Sequence, residues 1–237
     1  MKVIVIAARK GGTGKTTLAG HLSVQAERAG AGPVALIDID PQGSLAAWWN
    51  SRAAPTPVFA QATVPGLAED IQRLRDSGIA VLIIDTPPAL TQTIADVVGH
   101  ADLVVIPTRP SPHDLRSIGA TAELVEHLGK PLVFVLNGAT PRAKINGEAL
   151  SVLSQHGMLA PVVIHQRIDF AASMIDGRTV MELPDPSRSS AEIEKLWAYL
   201  DARLEGTVPR RVLPAPPHRG GEERVYTLAG AARRNPA

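Results

Sequence analysis

The sequence predicts an α/β fold with a mostly parallel, twisted sheet and helices on both of its faces. Short apolar runs rich in Val and Ile, a pattern typical of buried strands, alternate along the chain with segments whose apolar residues recur at helical spacing. This alternation favours parallel strands joined by right-handed crossovers. Several of the runs end in an acidic or polar residue, and ligands of such sheets bind at the carboxyl ends of the strands.

Length and composition limit the number of domains and the possible chemistry. The 237 residues fit one domain, which we place at residues 1–205, followed by a Pro- and Arg-rich tail at 206–237 that we expect to be disordered. No apolar run reaches the roughly 18 residues of a membrane-spanning helix, and we expect a cytoplasmic protein. Cysteine is absent, which excludes disulfides, zinc–thiolate sites and iron–sulfur clusters.

The net charge of +1 hides a difference between the domain and the tail. The tail carries six arginines against two glutamates, whereas the rest of the chain has 18 basic and 21 acidic side chains. Any attraction to nucleic acid must therefore come from a local patch or from the tail.

The first strand-to-helix connection carries the strongest functional signal. Five of the six residues in Lys2–Ala7 are apolar and predict a strand, and a helical period follows Thr16, with apolar residues at Leu18, Leu22, Ala26 and Ala29. The stretch Lys10-Gly-Gly-Thr-Gly-Lys-Thr-Thr17 lies between them. Glycines let backbone N–H groups face phosphate oxygens, and the helix N-terminus adds partial positive charge. We expect Lys15 to reach the β- and γ-phosphates and Thr16 to ligate Mg²⁺.

This loop departs from the standard pattern G-x-x-x-x-G-K-[ST], because Arg9 occupies the first glycine position. A second lysine, Lys10, follows Arg9 and gives the variant K-G-G-x-G-K-[ST]. The alternative interpretation is a glycine-rich turn with surface lysines. The strand before the loop and the helix after it favour a phosphate site.

Carboxylates mark the ends of the next two long strands. The run Val34–Ile39 leads into Asp38-Ile-Asp-Pro-Gln-Gly43, and the run Val81–Ile84 is followed directly by Asp85. A carboxylate at a strand tip that follows a phosphate loop is typical of a Walker B acid, which holds the Mg²⁺ shell. Between these strands we predict a short helix around Trp48 and Trp49, a loop over 52–65 with a minor strand at Val58–Ala60, and a helix over Leu67–Arg75.

The second half of the chain continues the alternation. We predict strands at Leu103–Pro107, Leu132–Asn137 and Val162–His165, with helices near 113–128, 146–156 and 168–175. The final helix is predicted to begin at a capping box, Ser189-x-x-Glu192. It is predicted to bury one face made of Ile193, Leu196, Trp197 and Leu200.

In this order, Lys10–Thr17, Asp38–Gly43, Asp85–Pro88 and the capped last helix resemble the small ParA-type partition ATPases of the deviant Walker A (ParA/MinD) family, the type without an N-terminal helix-turn-helix. The resemblance covers about residues 1–204. It implies a P-loop ATPase that binds ATP and Mg²⁺ and hydrolyses ATP to ADP and phosphate with weak basal activity. It also implies a homodimer that forms only with ATP.

The resemblance also assigns roles by position. It makes Lys10, Lys15 and Asp40 catalytic, with Lys10 neutralising phosphate charge in the partner subunit and Asp40 positioning the attacking water. The metal site would use Thr16, Asp38 and Asp85, and the alternative for Asp38 and Asp40 is a pair of turn-capping acids. Nucleotide contacts would come from Lys10, Gly11, Gly12, Thr13, Gly14, Lys15, Thr16, Thr17 and, at the adenine base, Asn137.

Proteins of this family bind DNA non-specifically through basic residues in the C-terminal part. The positions that the resemblance implies here are Arg167, Arg188, Arg178 and Lys195. The alternative is that these are ordinary solvated surface charges. The arginine-rich tail either assists DNA binding or acts as a solubilising extension, and the sequence leaves both open.

The implied function is plasmid or chromosome segregation or another form of cargo positioning. An ATP-bound dimer would bind nucleoid DNA and leave it when a ParB-like or analogous adaptor stimulates hydrolysis. The alternative is a MinD-like membrane-associated regulator of cell division, which needs an amphipathic C-terminal helix. Residues 222–237 offer only Val225, Tyr226 and Leu228 as sizeable apolar side chains, so we expect no membrane partner.

Overall fold

The computed structural model describes residues 1–88 and 92–207, which fold around a sheet of seven strands. The strands are β1 (Lys2–Ile6), β2 (Val34–Asp38), β3 (Val58–Phe59), β4 (Val81–Asp85), β5 (Leu103–Thr108), β6 (Leu132–Leu136) and β7 (Met158–Leu159). The α-helices are α1 (Lys15–Arg28), α2 (Ser44–Asn50), α3 (Leu67–Asp76), α4 (Gln92–Gly99), α5 (Pro112–His127), α6 (Lys144–His156), α7 (Ile168–Met174) and α8 (Arg188–Leu204).

All neighbouring strands pair in parallel, in the order β3-β2-β4-β1-β5-β6-β7. The carboxyl ends of the strands therefore meet at one edge of the sheet. Asp38 on β2 stands opposite Asp85 on β4, and Asp85 stands opposite Ile6 at the end of β1. This register brings two carboxylates to the level at which the loop after β1 begins.

Helices cover both faces of the sheet. One apolar core joins the sheet to α1, α2, α7 and α8, and a second joins it to α3, α4, α5 and α6. Within β1, Ile4 and Ile6 face the first core while Val3 and Val5 face the second, because successive side chains of a strand point to opposite faces. The predicted α/β fold with a parallel sheet and two helical layers is confirmed.

The predicted strand at Val162–His165 is wrong. The edge strand is β7, which pairs with β6 over two residues, whereas His165 makes a single bridge with Ala139. The apolar run between them follows the sheet edge, with Ile164 donating its backbone N–H to Leu136, but it does not keep a continuous ladder. Apolar content alone does not distinguish such an edge segment from a strand.

The predicted start of the last helix is also wrong, although its buried face is confirmed. The helix α8 begins at Arg188, and its capping box is formed by Ser187 and Ser190. The carboxylate of Glu192 instead accepts hydrogen bonds from His165 and Arg167. The four predicted face residues are all nearly or fully buried, namely Ile193, Leu196, Trp197 and Leu200.

Three elements were not predicted from the sequence: the edge strand β7, helix α4 and a short 3-10 helix at Val180–Glu182. The minor strand and the helix over Leu67–Arg75 are found at β3 and α3. The predicted domain boundary at residue 205 stays a prediction, since residues 208–237 lie outside the described part of the chain.

Candidate nucleotide-binding site

The loop between β1 and α1 has the backbone shape that phosphate binding requires. Gly12 and Gly14 adopt φ values of 73° and 93°, a region that favours glycine. A Cβ added at Gly14 would overlap the side-chain amide of Asn137. That amide donates a hydrogen bond from Nδ2 to the carbonyl of Thr13 at 2.6 Å. The residue that follows β6 therefore braces the loop, and its predicted contact with adenine stays a prediction.

Lys15 begins α1 and is only 7% exposed. Its Nζ lies 3.4 Å from the carbonyl of Lys10, and among the described residues no carboxylate forms an ion pair with it. Burial lowers the pKa of Lys15, while the nearby charges of Asp85 and Asp40 raise it. A buried ammonium group without a paired anion favours an incoming negative charge.

Thr16 and Asp85 form a direct contact at the carboxyl ends of the strands. The Thr16 hydroxyl donates to Oδ2 of Asp85 at 2.6 Å. Burial raises the pKa of Asp85 to about 7, although the hydrogen bond from Thr16 acts in the opposite direction. A bound cation would favour the ionised carboxylate. The hydroxyl and the carboxylate that were predicted to serve Mg²⁺ therefore lie together.

Asp38 is held by backbone N–H groups on both of its carboxylate oxygens. Oδ1 accepts from Asp40 at 3.0 Å, and Oδ2 accepts from Leu45 and Ala46 at 3.0 and 3.1 Å. Burial raises the pKa of Asp38, and these hydrogen bonds oppose that shift. Asp38 thus stabilises the turn into α2, as the alternative interpretation held. Its proposed metal role stays a prediction.

Asp40 lies in the turn after β2 and is half-buried. One oxygen accepts the backbone N–H of Gln42 at 3.0 Å. The other oxygen makes no hydrogen bond within the described part of the chain. The charge of Asp40 raises the pKa of Lys15 and so opposes the effect of burial on that lysine.

Lys10 projects from the loop with its side chain 43% exposed. Its Nζ lies 3.8 Å from Oδ1 of Asp114, which belongs to the first turn of α5. This distance is at the limit of an ion pair, so Lys10 is held only loosely within its own protomer.

The donor set fits a nucleotide with Mg²⁺. The loop supplies two positive-φ glycines, a buried lysine without a paired anion and a threonine hydroxyl beside a carboxylate. No cluster of three or more His, Cys, Asp or Glu side chains forms a metal cage in residues 1–88 and 92–207. Mg²⁺ usually takes one or two carboxylates and completes its shell with water and substrate phosphates, so the Thr16 hydroxyl beside Asp85 would suit it.

A cleft of about 580 Å³ opens beside Asp38 and Asp40. Its walls come from the start of α2, the segment after β3 and the first turns of α3, including Phe59, Gln61 and Glu69. This cleft was not predicted, because its walls come from segments that are separated along the chain. It provides an open approach to the predicted water-positioning carboxylate.

The four basic residues predicted to contact DNA fall into two groups. Arg167 lies 2.8 Å from Glu192, and Arg178 lies 2.7 Å from Asp176, so each is paired with an acid. Arg188 and Lys195 are exposed and make no ion pair among the described residues. They lie seven residues apart on α8, which places them on the same side of that helix. Contact with DNA stays a prediction for all four.

Two residues beside the loop, Arg109 and Asp114, were not identified from the sequence. Arg109 follows β5 directly, and its Nε donates to Oδ2 of Asp114 at 2.8 Å. A Cβ added at Gly12 would lie 3.6 Å from Nη1 of Arg109. Like Asn137, Arg109 directly follows a strand and so lies at the carboxyl edge of the sheet. That position in the sequence could have identified it as a candidate site residue.

No helix in the described residues is both long and apolar enough to cross a membrane.

Residues 4–180 match the family described as "CobQ/CobB/MinD/ParA nucleotide binding domain". The chain is 43% identical over 117 residues to "Maintenance of carboxysome distribution protein A" of Gloeobacter kilaueensis, a match that covers 48% of this chain and about half, 52%, of that relative. It is 30% identical over 206 residues to the protein of the same name from Halothiobacillus neapolitanus, covering 80% of this chain and 91% of that one.

Among solved structures, the septum site-determining protein MinD with Mg-ADP from Pyrococcus horikoshii matches with a TM-score of 0.71. The match covers 87% of this chain and 98% of that one at 19% identity, which shows a common fold. The family match spans well over half of the sequence, including the phosphate loop and the two strand-end carboxylates. The chain therefore belongs to the CobQ/CobB/MinD/ParA family of nucleotide-binding domains.

Proposed function

We propose that this chain is an ATP-dependent positioning ATPase whose ATP-bound dimer binds DNA non-specifically. The observation that carries the proposal is the pair of lysines on one phosphate loop, with the buried ammonium of Lys15 lying 3.4 Å from the carbonyl of Lys10. The names of the two relatives refer to maintenance of carboxysome distribution, which supports work of the cargo-positioning kind. We place the protein in the cytoplasm on nucleoid DNA, and its release would require an adaptor of the ParB type that stimulates hydrolysis.

Each loop residue has a defined task in hydrolysis. ATP supplies a γ-phosphoryl group whose transfer to water concentrates negative charge on the phosphate oxygens. Lys15 neutralises part of that charge, and Thr16 with Asp85 holds the Mg²⁺ shell. Asp40 accepts a hydrogen bond from the attacking water and orients it. A single half-buried carboxylate gives weak basal turnover, which leaves room for stimulation by an adaptor.

Lys10 makes dimerisation depend on ATP. Its side chain is 43% exposed, and its ammonium group is held only loosely by Asp114, so it is available to a second protomer. Two facing loops would bring like charges together, which costs free energy unless phosphates lie between them. Bound ATP supplies those negative charges, and the dimer therefore forms with ATP rather than without nucleotide.

The DNA surface would centre on α8. Arg188 and Lys195 are exposed, are not neutralised by an acid among the described residues and lie on one side of the helix. A dimer doubles this set of charges. Contacts of this kind go to phosphates, so binding should be independent of sequence and should weaken steeply with salt.

The test is binding to an arbitrary DNA duplex with ATP, with ADP and without nucleotide, at two salt concentrations. Light scattering on the same samples reports dimerisation. Wild-type protein should dimerise and bind DNA only with ATP, Asp40→Ala should keep both properties, and Lys15→Ala should lose both. Arg188→Ala should dimerise with ATP and bind DNA more weakly.

Two results would contradict the proposal. A wild-type chain that stays monomeric with ATP would exclude the nucleotide-gated dimer. A dimer that binds no DNA under any nucleotide would exclude the partition role. Co-sedimentation of that dimer with liposomes would then support the membrane-associated alternative.

A further inference from the structure

Arg109 lies against the phosphate loop although it is far from the loop in sequence. It follows β5, the strand next to β1 on the side opposite β4. A Cβ added at Gly12 would lie 3.6, 3.9 and 4.0 Å from Nη1, Cζ and Nη2 of Arg109. A Cβ added at Gly138 would lie 3.5 Å from its Cγ. The side chain therefore extends from the residue after Asn137 to the middle of the loop.

A buried acid fixes the direction of this arginine. Asp114 is 1% exposed, and its Oδ2 accepts from Nε of Arg109 at 2.8 Å. The backbone of Asp114 is also fixed, because its N–H donates to the hydroxyl of Ser111, the N-cap of α5. An arginine oriented in this way loses little conformational freedom when it binds a second anion.

The ends of the guanidinium remain available. Within the described part of the chain, Nη1 and Nη2 of Arg109 make no hydrogen bond, and the side chain is 45% exposed. Oδ1 of Asp114 also has no hydrogen-bond partner, and the ammonium group of Lys10 lies 3.8 Å from it. One buried carboxylate thus holds two cations beside the loop, and neither cation is fully neutralised.

We propose that Arg109 binds the nucleotide, donating from its terminal nitrogens to oxygens of the α- and β-phosphates held by the loop. The inference deepens the proposed function, because it rests on nucleotide binding at this loop. A guanidinium whose Nε is bound by a carboxylate still presents two terminal nitrogens, a geometry suited to phosphate oxygens. Asp114 is then a positioning residue that acts through Arg109.

The experiment measures the equilibrium affinities of the full chain for ATP, ADP and adenosine. Arg109→Gln should bind ATP and ADP about tenfold to a hundredfold more weakly than wild type, as expected for the loss of a charge-assisted hydrogen-bonding group. Its affinity for adenosine should not change. Arg109→Lys should recover part of the loss, because it restores the charge without the planar fork. Arg116→Gln, an exposed arginine on α5, is the control of equal charge and should match wild type.

A second variant separates binding from folding. Arg109→Gln leaves the Asp114 carboxylate without its arginine, so the variant is paired with Arg109→Gln/Asp114→Asn, which removes the buried charge. Both should lose affinity for ATP and ADP to a similar extent, and the melting temperature without nucleotide shows any loss of fold. Wild-type affinity in the double variant would assign Arg109 to the ion pair alone and overturn the inference.

The ADP measurements keep this inference distinct from the proposed function. They require neither dimerisation nor DNA. If wild type binds ADP but never DNA, the proposed function fails while the prediction for Arg109 is still decided. If wild type binds no nucleotide, the proposed function and the inference about Arg109 both fail. Arg109→Gln and wild type would then show the same lack of nucleotide binding.

Discussion

Gly14 shows how one position combines backbone shape with packing. Its φ of 93° favours glycine, and a Cβ there would overlap the amide of Asn137. Gly43 provides a matched control, because its φ is 62° and nothing lies within 4 Å of an added Cβ. Both positions therefore carry the cost of a positive φ, and only Gly14 adds a steric conflict.

We predict that Gly43→Ala lowers the free energy of unfolding by about 1 kcal/mol, the cost of the left-handed conformation. Gly14→Ala should cost about 1–3 kcal/mol more, because Asn137 must move. It should also abolish ADP binding, since the bond from Asn137 to Thr13 braces the loop. Urea unfolding and an ADP titration test both statements. Equal losses of stability in the two variants would contradict the packing argument.

His21 gives the protein a predictable dependence on pH. It is fully buried on α1, donates from Nδ1 to the carbonyl of Thr17 at 2.8 Å and packs edge-on against Phe170. Burial lowers its pKa to about 4 from an ordinary value of 6.5, although Glu182 acts in the opposite direction. Between pH 6.5 and about pH 4, His21 therefore binds a proton in the unfolded chain but not in the folded chain.

The resulting stability is fully present above pH 6.5 and is lost as the pH falls from 6.5 towards 4. Between pH 7 and pH 5 we expect His21 alone to remove about 2 kcal/mol from the free energy of unfolding. His21→Gln should lack this component in urea titrations at the two pH values. His127→Gln, at an exposed position on α5, should retain it. A pH dependence of the same size in His21→Gln would assign the loss to other groups.

At the scale of single residues, the sequence predicted the groups that belong to a local motif. Lys15 and Thr16 follow from the loop pattern, and Asp85 follows from its position at a strand end. Arg109 was not found, because its closeness to Gly12 depends on the pairing of β1 with β5. The engagement of both Asp38 oxygens by the backbone depends likewise on the path of a turn.

The start of α8 illustrates what an element depends on. The Ser187 hydroxyl accepts a hydrogen bond from the backbone N–H of Ser190 at 3.1 Å. In return, the Ser190 hydroxyl accepts one from the backbone N–H of Ser187 at 3.1 Å. The sequence pattern Ser189-x-x-Glu192 was misleading, because Ser189 donates to Asp169 and Glu192 binds His165 and Arg167. Both side chains therefore bond residues outside the helix and do not cap its N-terminus.

We predict that Ser187→Ala lowers the free energy of unfolding by about 1 kcal/mol, the usual cost of removing an N-cap. Ser154→Ala is the control, since Ser154 is exposed on α6 and bonds only a carbonyl of its own helix. Its replacement should change stability by less than about 0.5 kcal/mol. Urea unfolding measures both. A Ser187→Ala variant as stable as Ser154→Ala would show that α8 depends on its buried face alone.

The long, buried strands were predicted well, and so was the short edge strand β3, whereas the edge strand β7 was not. The strands β1, β2, β4, β5 and β6 each have at least four buried residues, and their apolar runs identify them. The strand β7 is two residues long and half-buried, so its sequence carries no comparable run. Helix α4 was overlooked although Ile94, Val97 and Val98 are buried at helical spacing, which was a usable signal.

At the scale of the whole molecule, the alternation of strands and helices determined the architecture. A parallel sheet with helices on two faces places every strand end at one edge, and the loop, Asp38, Asp85 and Asn137 meet there. The charge pattern over the surface was not predictable in this way. Whether a basic side chain is free or paired depends on acids from distant segments, as Glu192 shows for Arg167.

This difference between paired and free charges leads to a prediction about DNA binding by the ATP-bound dimer. A plot of log affinity against log salt has a negative slope. Arg188→Gln and Lys195→Gln should each make that slope shallower by about 0.9 for every phosphate contact that is lost. Arg167→Gln should change the slope less, because Glu192 already neutralises much of its charge. Arg75→Gln on α3, which packs on the opposite face of the sheet, removes the same charge and should leave the slope unchanged. If all four variants reduced the slope equally, net charge rather than a surface on α8 would control DNA binding.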